Sequence, residues 1–237
     1  MEVVAAVLAL AFIGAVVQGV LGFGLGVVAA PFVAWLAPEV LPAALVLASL
    51  PLPLLTLGGE WRATDWRALG WALVGRLPAT LVGVFIVAVV PVAGLQILVA
   101  ASVLLMVGLT LFRVEVPRTG VTLAGAGVLS GITGTTTGIG GPPIAIVLRN
   151  DEPAVARATM AAYFMIGSLL TLGALASVGR VSGVPLAAGL AMLPASVLGF
   201  VVALGVRRHV TGARFRGAVL AVSSIAAVAL LVRALSG

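Results

Sequence analysis

Residues 130–143 read SGITGTTTGIGGPP, inside an apolar run that a regular helix cannot carry through them. Gly131, Gly134, Gly138, Gly140 and Gly141 each weaken a helix by roughly 1 kcal/mol against alanine. Pro142 and Pro143 remove two backbone donors, and Thr133, Thr135, Thr136 and Thr137 add hydroxyls. Irregular backbone at membrane depth persists only where protein buries it or where it lines a polar cavity. The stretch therefore reads as the floor of a binding site. A second interruption, QGVLGFGLG at 18–26, cuts the apolar run 3–36 in the same manner.

That this depth is a membrane's follows from composition. The chain of 237 residues is 62% hydrophobic and 8% charged, with mean hydropathy +1.30. A soluble domain is about half apolar and about a quarter charged, and several apolar runs here exceed the ~20 residues that cross a bilayer. The expected class is an all-α integral membrane protein. With no Cys, and a single His209 in a charged loop, the chain offers no disulfide framework, thiol nucleophile or His metal cluster, so no metal or cofactor is expected. The net charge of +6 is carried by Arg alone. It reads as charge on cytoplasmic loops, not as a nucleic-acid surface; the expected setting is multi-pass, in a bacterial inner membrane. The start, MEVVAAVLAL, lacks a signal peptide's basic residues and is read as mature protein.

After the cut segment 3–36, further spans are expected at 40–58, 68–90 and 92–112, then a second cut segment at 120–148, then spans at 158–178, 184–206 and 217–235. Pro153 is expected at a helix start, with Asp151 or Glu152 at its cap. The chain also repeats itself. Placing Gly19 on Gly131 puts Gly22 on Gly134, Gly26 on Gly138 and Pro31 on Pro143, and LPATLVG at 77–83 echoes LPASVLG at 193–199 after a small insertion. One membrane domain of two repeats, about 3–113 and 118–235, is expected, each a Gly-broken helix plus three transmembrane helices.

Each cut segment is too long for one upright span and too short for two. A re-entrant hairpin of two half-helices fits, and so does one broken, tilted span. If 120–148 returns to the side it entered from, Arg62, Arg67, Arg76, Arg113, Arg118, Arg149, Arg157, Arg207, Arg208, Arg214 and Arg216 share a face, and only Arg180 and Arg233 take the other. A crossing splits them almost evenly, so the bias favours the hairpin. A hairpin plus three spans is an odd number of crossings, which inverts the two repeats, a common transporter plan.

Helices starting after the breaks, near Gly26–Ala30 and Gly141–Ile144, would offer N-terminal N–H groups to an anion. Candidate substrate-binding residues are Gly22, Phe23, Gly24 and Gly26 at the first break. At the second they are Thr133, Thr135, Thr136, Thr137, Gly138, Gly140, Gly141 and Pro142. The plain alternative is that such glycines only permit close helix packing. Arg76 lies inside an apolar span and would either balance an anion's charge or snorkel to the cytoplasmic interface. Gln18 and Tyr163 are polar groups at apolar positions that would line the site or satisfy a neighbour. No carboxylate falls well inside a span, so no buried proton relay is visible. Trp61, Trp66 and Trp71 read as interfacial anchors.

The two signatures, QGVLGFGLGVVAAPF at 18–32 and SGITGTTTGIGGPP at 130–143, resemble those of the TauE/SafE family of sulfite and organosulfonate permeases. The resemblance spans nearly the whole chain. It implies a secondary transporter, an exporter, for a small sulfur-containing or carboxylate anion bound between the breaks, with alternating access. A passive anion channel and an intramembrane enzyme are the other two classes, and the enzyme lacks a His–acid or carboxylate pair. The expected partners are a small anion and the lipid bilayer, with a homo-oligomer left open.

Overall fold

The computed structural model describes residues 2–111, 115–206 and 213–236. Expectations that rest on Arg113, Arg207, Arg208, His209 and the side chain of Arg214 lie outside the described residues. Every regular element among those described is helical. The first half holds α1 (Glu2–Leu21), α2 (Leu25–Leu36), α3 (Ala43–Ser49), α4 (Pro51–Glu60), α5 (Trp66–Val89) and α6 (Val92–Leu111). The second holds α7 (Gly120–Thr137), α8 (Gly141–Val147), α9 (Pro153–Ser177), α10 (Val184–Val206) and α11 (Ala213–Ser236).

Local sequence sets the boundaries. The Asp65 carboxylate accepts from the N–H groups of Arg67 and Ala68 and caps α5. Thr119 and Thr122 form a reciprocal capping box at the start of α7. Glu152 sits at the cap of α9 and Pro153 in its first turn, where a missing N–H costs nothing.

Seven helical segments are long and apolar enough to cross a membrane. Six match the spans expected outside the cut segments. The seventh is α1, whose 20 residues give roughly 30 Å at 1.5 Å per residue. The first arms of the cut segments are therefore close to full length rather than half-helices, and the second arms, 12 residues in α2 and 7 in α8, are short. The 18-residue α7 is not among the seven; its glycines and threonines lower its hydropathy, and it is packed along α5.

The register of the two halves differs from the one expected. Thr137, the end of α7, follows Leu21, the end of α1, by 116 positions; Gly141 follows Leu25, and Pro194 in α10 follows Pro78 in α5, by the same 116. This spacing sets GFG at 22–24 on GIG at 138–140 and needs no insertion before the LPA motifs. The alignment that placed Gly26 on Gly138 is one helical turn out, because it set turn glycines such as Gly22 and Gly138 on glycines of helices.

Other glycines, within the helices, let the two halves pack closely. Helix α5 lies along α7, and α1 along α10. A Cβ on Gly75 would strike the Ala124 carbonyl, one on Gly127 the Ala72 carbonyl, and one on Gly199 the Phe12 carbonyl. Polar contacts group the loops. Arg118 bridges Asp65 and Asp151, Arg149 pairs with Glu115, and Arg157 with Glu60. The loops at 59–67, 115–119 and 149–157 thus share one end of the molecule, and both flanks of the α7–α8 segment meet there. Away from that end, Gln96 donates to the Ala34 carbonyl at 2.8 Å, Arg233 to that of Trp35 at 3.1 Å, and Arg180 to that of Ala88 at 3.3 Å.

Candidate functional site

Both breaks turn the chain back onto the helix before them. Gly22 and Gly24 hold φ of 82° and 139°, and Gly138 holds 75°, a region that favours glycine. After the first turn, Leu25 lies against Gly14, where a Cβ would be 3.1 Å from the Leu25 Cα. The Gln18 side-chain oxygen accepts from the Leu25 N–H at 3.2 Å. After the second, the Ser130 hydroxyl donates to the Gly140 carbonyl at 2.6 Å. The two turns touch, since a Cβ on Gly26 would run into the Gly138 carbonyl.

A cavity opens between them. It holds about 60 Å³ for water-sized groups; a single water needs roughly 10–15 Å³, so the space suits a few waters or one small ion. Gln18, Phe23, Gly24, Gly26, Arg76, Gly138, Gly140 and Gly141 line it. Gly22 faces a neighbouring recess, and Pro142 a wider vestibule nearer the loop end.

Arg76 dominates the electrostatics. Its side chain is inside the protein, with the residue 4% exposed, so it does not snorkel to a surface. It donates to the hydroxyls of Ser130 at 3.3 Å and Thr171 at 3.4 Å, and its Nε has no partner. The guanidinium stacks 4.8 Å from the centroid of the Tyr163 ring. Gly167 leaves room for it, because a Cβ there would overlap the guanidinium. Tyr163, Gly167 and Thr171 recur every fourth residue on α9, one face of a helix. Tyr163 therefore supports Arg76 rather than lining the cavity.

No carboxylate balances this charge. The chain's seven acids are Glu2, Glu39, Glu60, Asp65, Glu115, Asp151 and Glu152; among the described residues, Glu60, Asp65, Glu115 and Asp151 pair with Arg118, Arg149 and Arg157, and none pairs with Arg76. Burying an ion costs several kcal/mol unless it is compensated. Two long hydrogen bonds to neutral hydroxyls compensate it weakly.

The remaining polar groups are mostly donors. Gln18, with its oxygen used at Leu25, retains its amide NH₂, and the Ser168 hydroxyl also lines the cavity. The backbone contributes less than expected at the second break. Gly138 N–H bonds to Gly134 and Ile139 N–H to the Thr137 hydroxyl. Pro142 and Pro143 have none, leaving Gly140 and Gly141. Helix α8, at seven residues, also carries little dipole. The cationic side chain, not a helix terminus alone, sets the sign of the site.

The expected threonines do not line the cavity. Thr133, Thr136 and Thr137 donate to carbonyls of their own helix, at Leu129, Ile132 and Thr133. Thr135 pairs with Thr171, one step behind Arg76. Sequence reasoning missed Ser49, Ser130, Ser168 and Thr171. The signal was available: hydroxyls inside apolar spans, with Thr171 on the same stripe as Tyr163 and Gly167.

No curated protein and no solved structure matches the chain. The family model described as sulfite exporter TauE/SafE matches residues 7–230. The chain, a multi-pass membrane protein, thus belongs to the sulfite exporter TauE/SafE family, which comprises membrane transporters and not enzymes.

Proposed function

We propose that the chain exports a small anion, sulfite or an organosulfonate, by alternating access, with the anion held between the two breaks as the counter-charge of Arg76. The single observation that carries this is a buried guanidinium with no carboxylate within reach. One fixed positive charge suits one negative charge, and the cavity's size suits a compact oxyanion. Gln18 and Ser168 add donors, as do the free N–H groups of Gly140 and Gly141.

The same reading takes the halves as inverted repeats, each opened by a re-entrant pair. In support, the α7–α8 segment starts and ends at the loop end that Arg118 ties together. Helix α2 ends beside the start of α6 and the end of α11. Arg bias makes the loop end at 59–67, 115–119 and 149–157 the cytoplasmic one, in a bacterial inner membrane. Rocking of one repeat against the other would expose the cavity to each side in turn.

The test is a thermal-shift titration of the purified protein, because a ligand of the native state raises its midpoint by mass action. Bisulfite and methanesulfonate, both singly charged, are expected to raise it, and sulfate to do so less. Equal or larger shifts with sulfate would remove the single-charge match, and no shift with any anion would remove the anion site. Saturable export from proteoliposomes, with counter-transport, separates a carrier from a channel.

A further inference from the structure

The vestibule at the loop end is an open groove with about 600 Å³ for water-sized groups. Arg149, Arg157 and Arg216 line it, with Asp151 among them. Among the described residues, Phe23 is the one that lines both this vestibule and the Arg76 cavity. We propose that Phe23 is the gate between them, and that an anion reaches Arg76 from the loop end only when its ring swings aside. The direction of passage rests on the reading of the Arg76 cavity as the anion site; the gate itself rests on geometry.

Three features fit Phe23 to that task. Its ring is an apolar barrier, and a hydrated anion loses water to pass one, which is how hydrophobic constrictions gate ion paths. It stands between Gly22 and Gly24, at φ of 82° and 139°, so the backbone on both sides is glycine that can absorb a large change in φ and ψ. It also closes against a built seat. A Cβ on Gly141 would lie 2.6 Å from the Phe23 Cβ and 3.2 Å from its Cγ, with the Phe164 ring tip at 3.5 Å from the same point. Glycine at 141 is what lets the phenylalanine settle there, with Phe164 as the neighbouring wall.

Because the chain has no Cys, one reporter suffices. Ser168→Cys places a thiol in the cavity, and a membrane-impermeant anionic thiosulfonate is added to proteoliposomes from the side bearing loop 149–157. Labelling of the reporter is expected to rise at least tenfold with Phe23→Ala, to rise less with Phe23→Leu, and to fall at least threefold with Phe23→Trp. The leucine variant keeps the test usable if alanine impairs folding. Thr119→Cys, exposed on the loop face, reports equal reagent access in each background. Reporter rates within twofold of one another across the Phe23 variants overturn the gate. Labelling needs no transport, so the two readings separate. If Phe23→Ala opens the cavity while Arg76→Met still binds anions normally, the anion site falls and the gate stands. The reverse pattern removes the gate alone.

Discussion

Replacing Arg76 by methionine separates binding from folding. Methionine keeps an unbranched stem of similar course and removes the charge. Two effects on the ligand-free protein oppose each other. The variant loses two charge-assisted hydrogen bonds, nominally ~1.5–3 kcal/mol each, but at 3.3 and 3.4 Å both lie beyond the usual range, so the loss falls at the low end. It also loses the stacking on Tyr163, worth up to about 2 kcal/mol when desolvated. Against this, it no longer buries an ion without a carboxylate, a penalty of several kcal/mol. The terms nearly cancel, and the ligand-free unfolding midpoint of Arg76→Met is expected to equal or exceed the parent's. Binding has no such cancellation. Truncating one partner of a buried charge pair costs about 2–5 kcal/mol, roughly a 30-fold to several-thousand-fold loss of affinity at 1.4 kcal/mol per tenfold. Arg76→Lys is expected to recover only part of it, since an ammonium lacks the planar fork that meets Ser130 and Thr171 and stacks on Tyr163. Differential scanning fluorimetry with and without bisulfite reads both quantities. A methionine variant with the parent's affinity refutes the argument; one that is strongly destabilised without ligand shows that Arg76 is a structural brace.

Other outcomes follow from the same geometry. Gly26→Ala should lower the unfolding midpoint, because its Cβ overlaps the Gly138 carbonyl and the breaks could not meet, whereas Gly125→Ala, inside α7 with nothing near it, should keep or slightly raise the midpoint. The triple variant Thr133→Val, Thr136→Val, Thr137→Val should cost stability at about 1 kcal/mol per lost bond and leave anion affinity near the parent's, since those hydroxyls donate to α7 itself; a large loss of affinity in isothermal titration would return them to the site. Cysteines at 119 and 151 should label from the same face, because Arg118 joins Asp151; opposite faces would sink the re-entrant reading. The Ala68 N–H, and after it the Arg118 guanidinium, hold the Asp65 carboxyl below its usual 3.8. A lowered folded-state value means the contribution is complete above the unfolded value and is lost as pH falls through the folded one. The parent's midpoint should therefore drop below about pH 4 by more than that of Asp65→Asn, and parallel curves would argue against the cap and bridge.

Sequence alone determined the all-helical membrane class, the six apolar spans outside the cut segments and the stretches where the helices are interrupted. These are local or compositional properties: hydropathy over ~20 residues, glycine and proline where a helix fails, and Arg bias that follows loop position. Family membership came through the same two signatures. The register of the halves was off by one turn because glycine serves two purposes here. Gly19 and Gly131 pack helices, whereas Gly22, Gly24 and Gly138 turn the chain, and one letter encodes both. Only the tertiary structure decided which polar groups face the cavity. A threonine in a helix either points a proton at a ligand or returns it to the carbonyl a turn back, and Thr133, Thr136 and Thr137 return it. The environment of Arg76 was likewise a tertiary matter. Its partners come from α7 and α9, as many as 95 residues away. Whether a charge in an apolar span reaches water or stays buried depends on those distant helices, since the electrostatic cost is set by everything around the ion and not by the residues beside it in the chain.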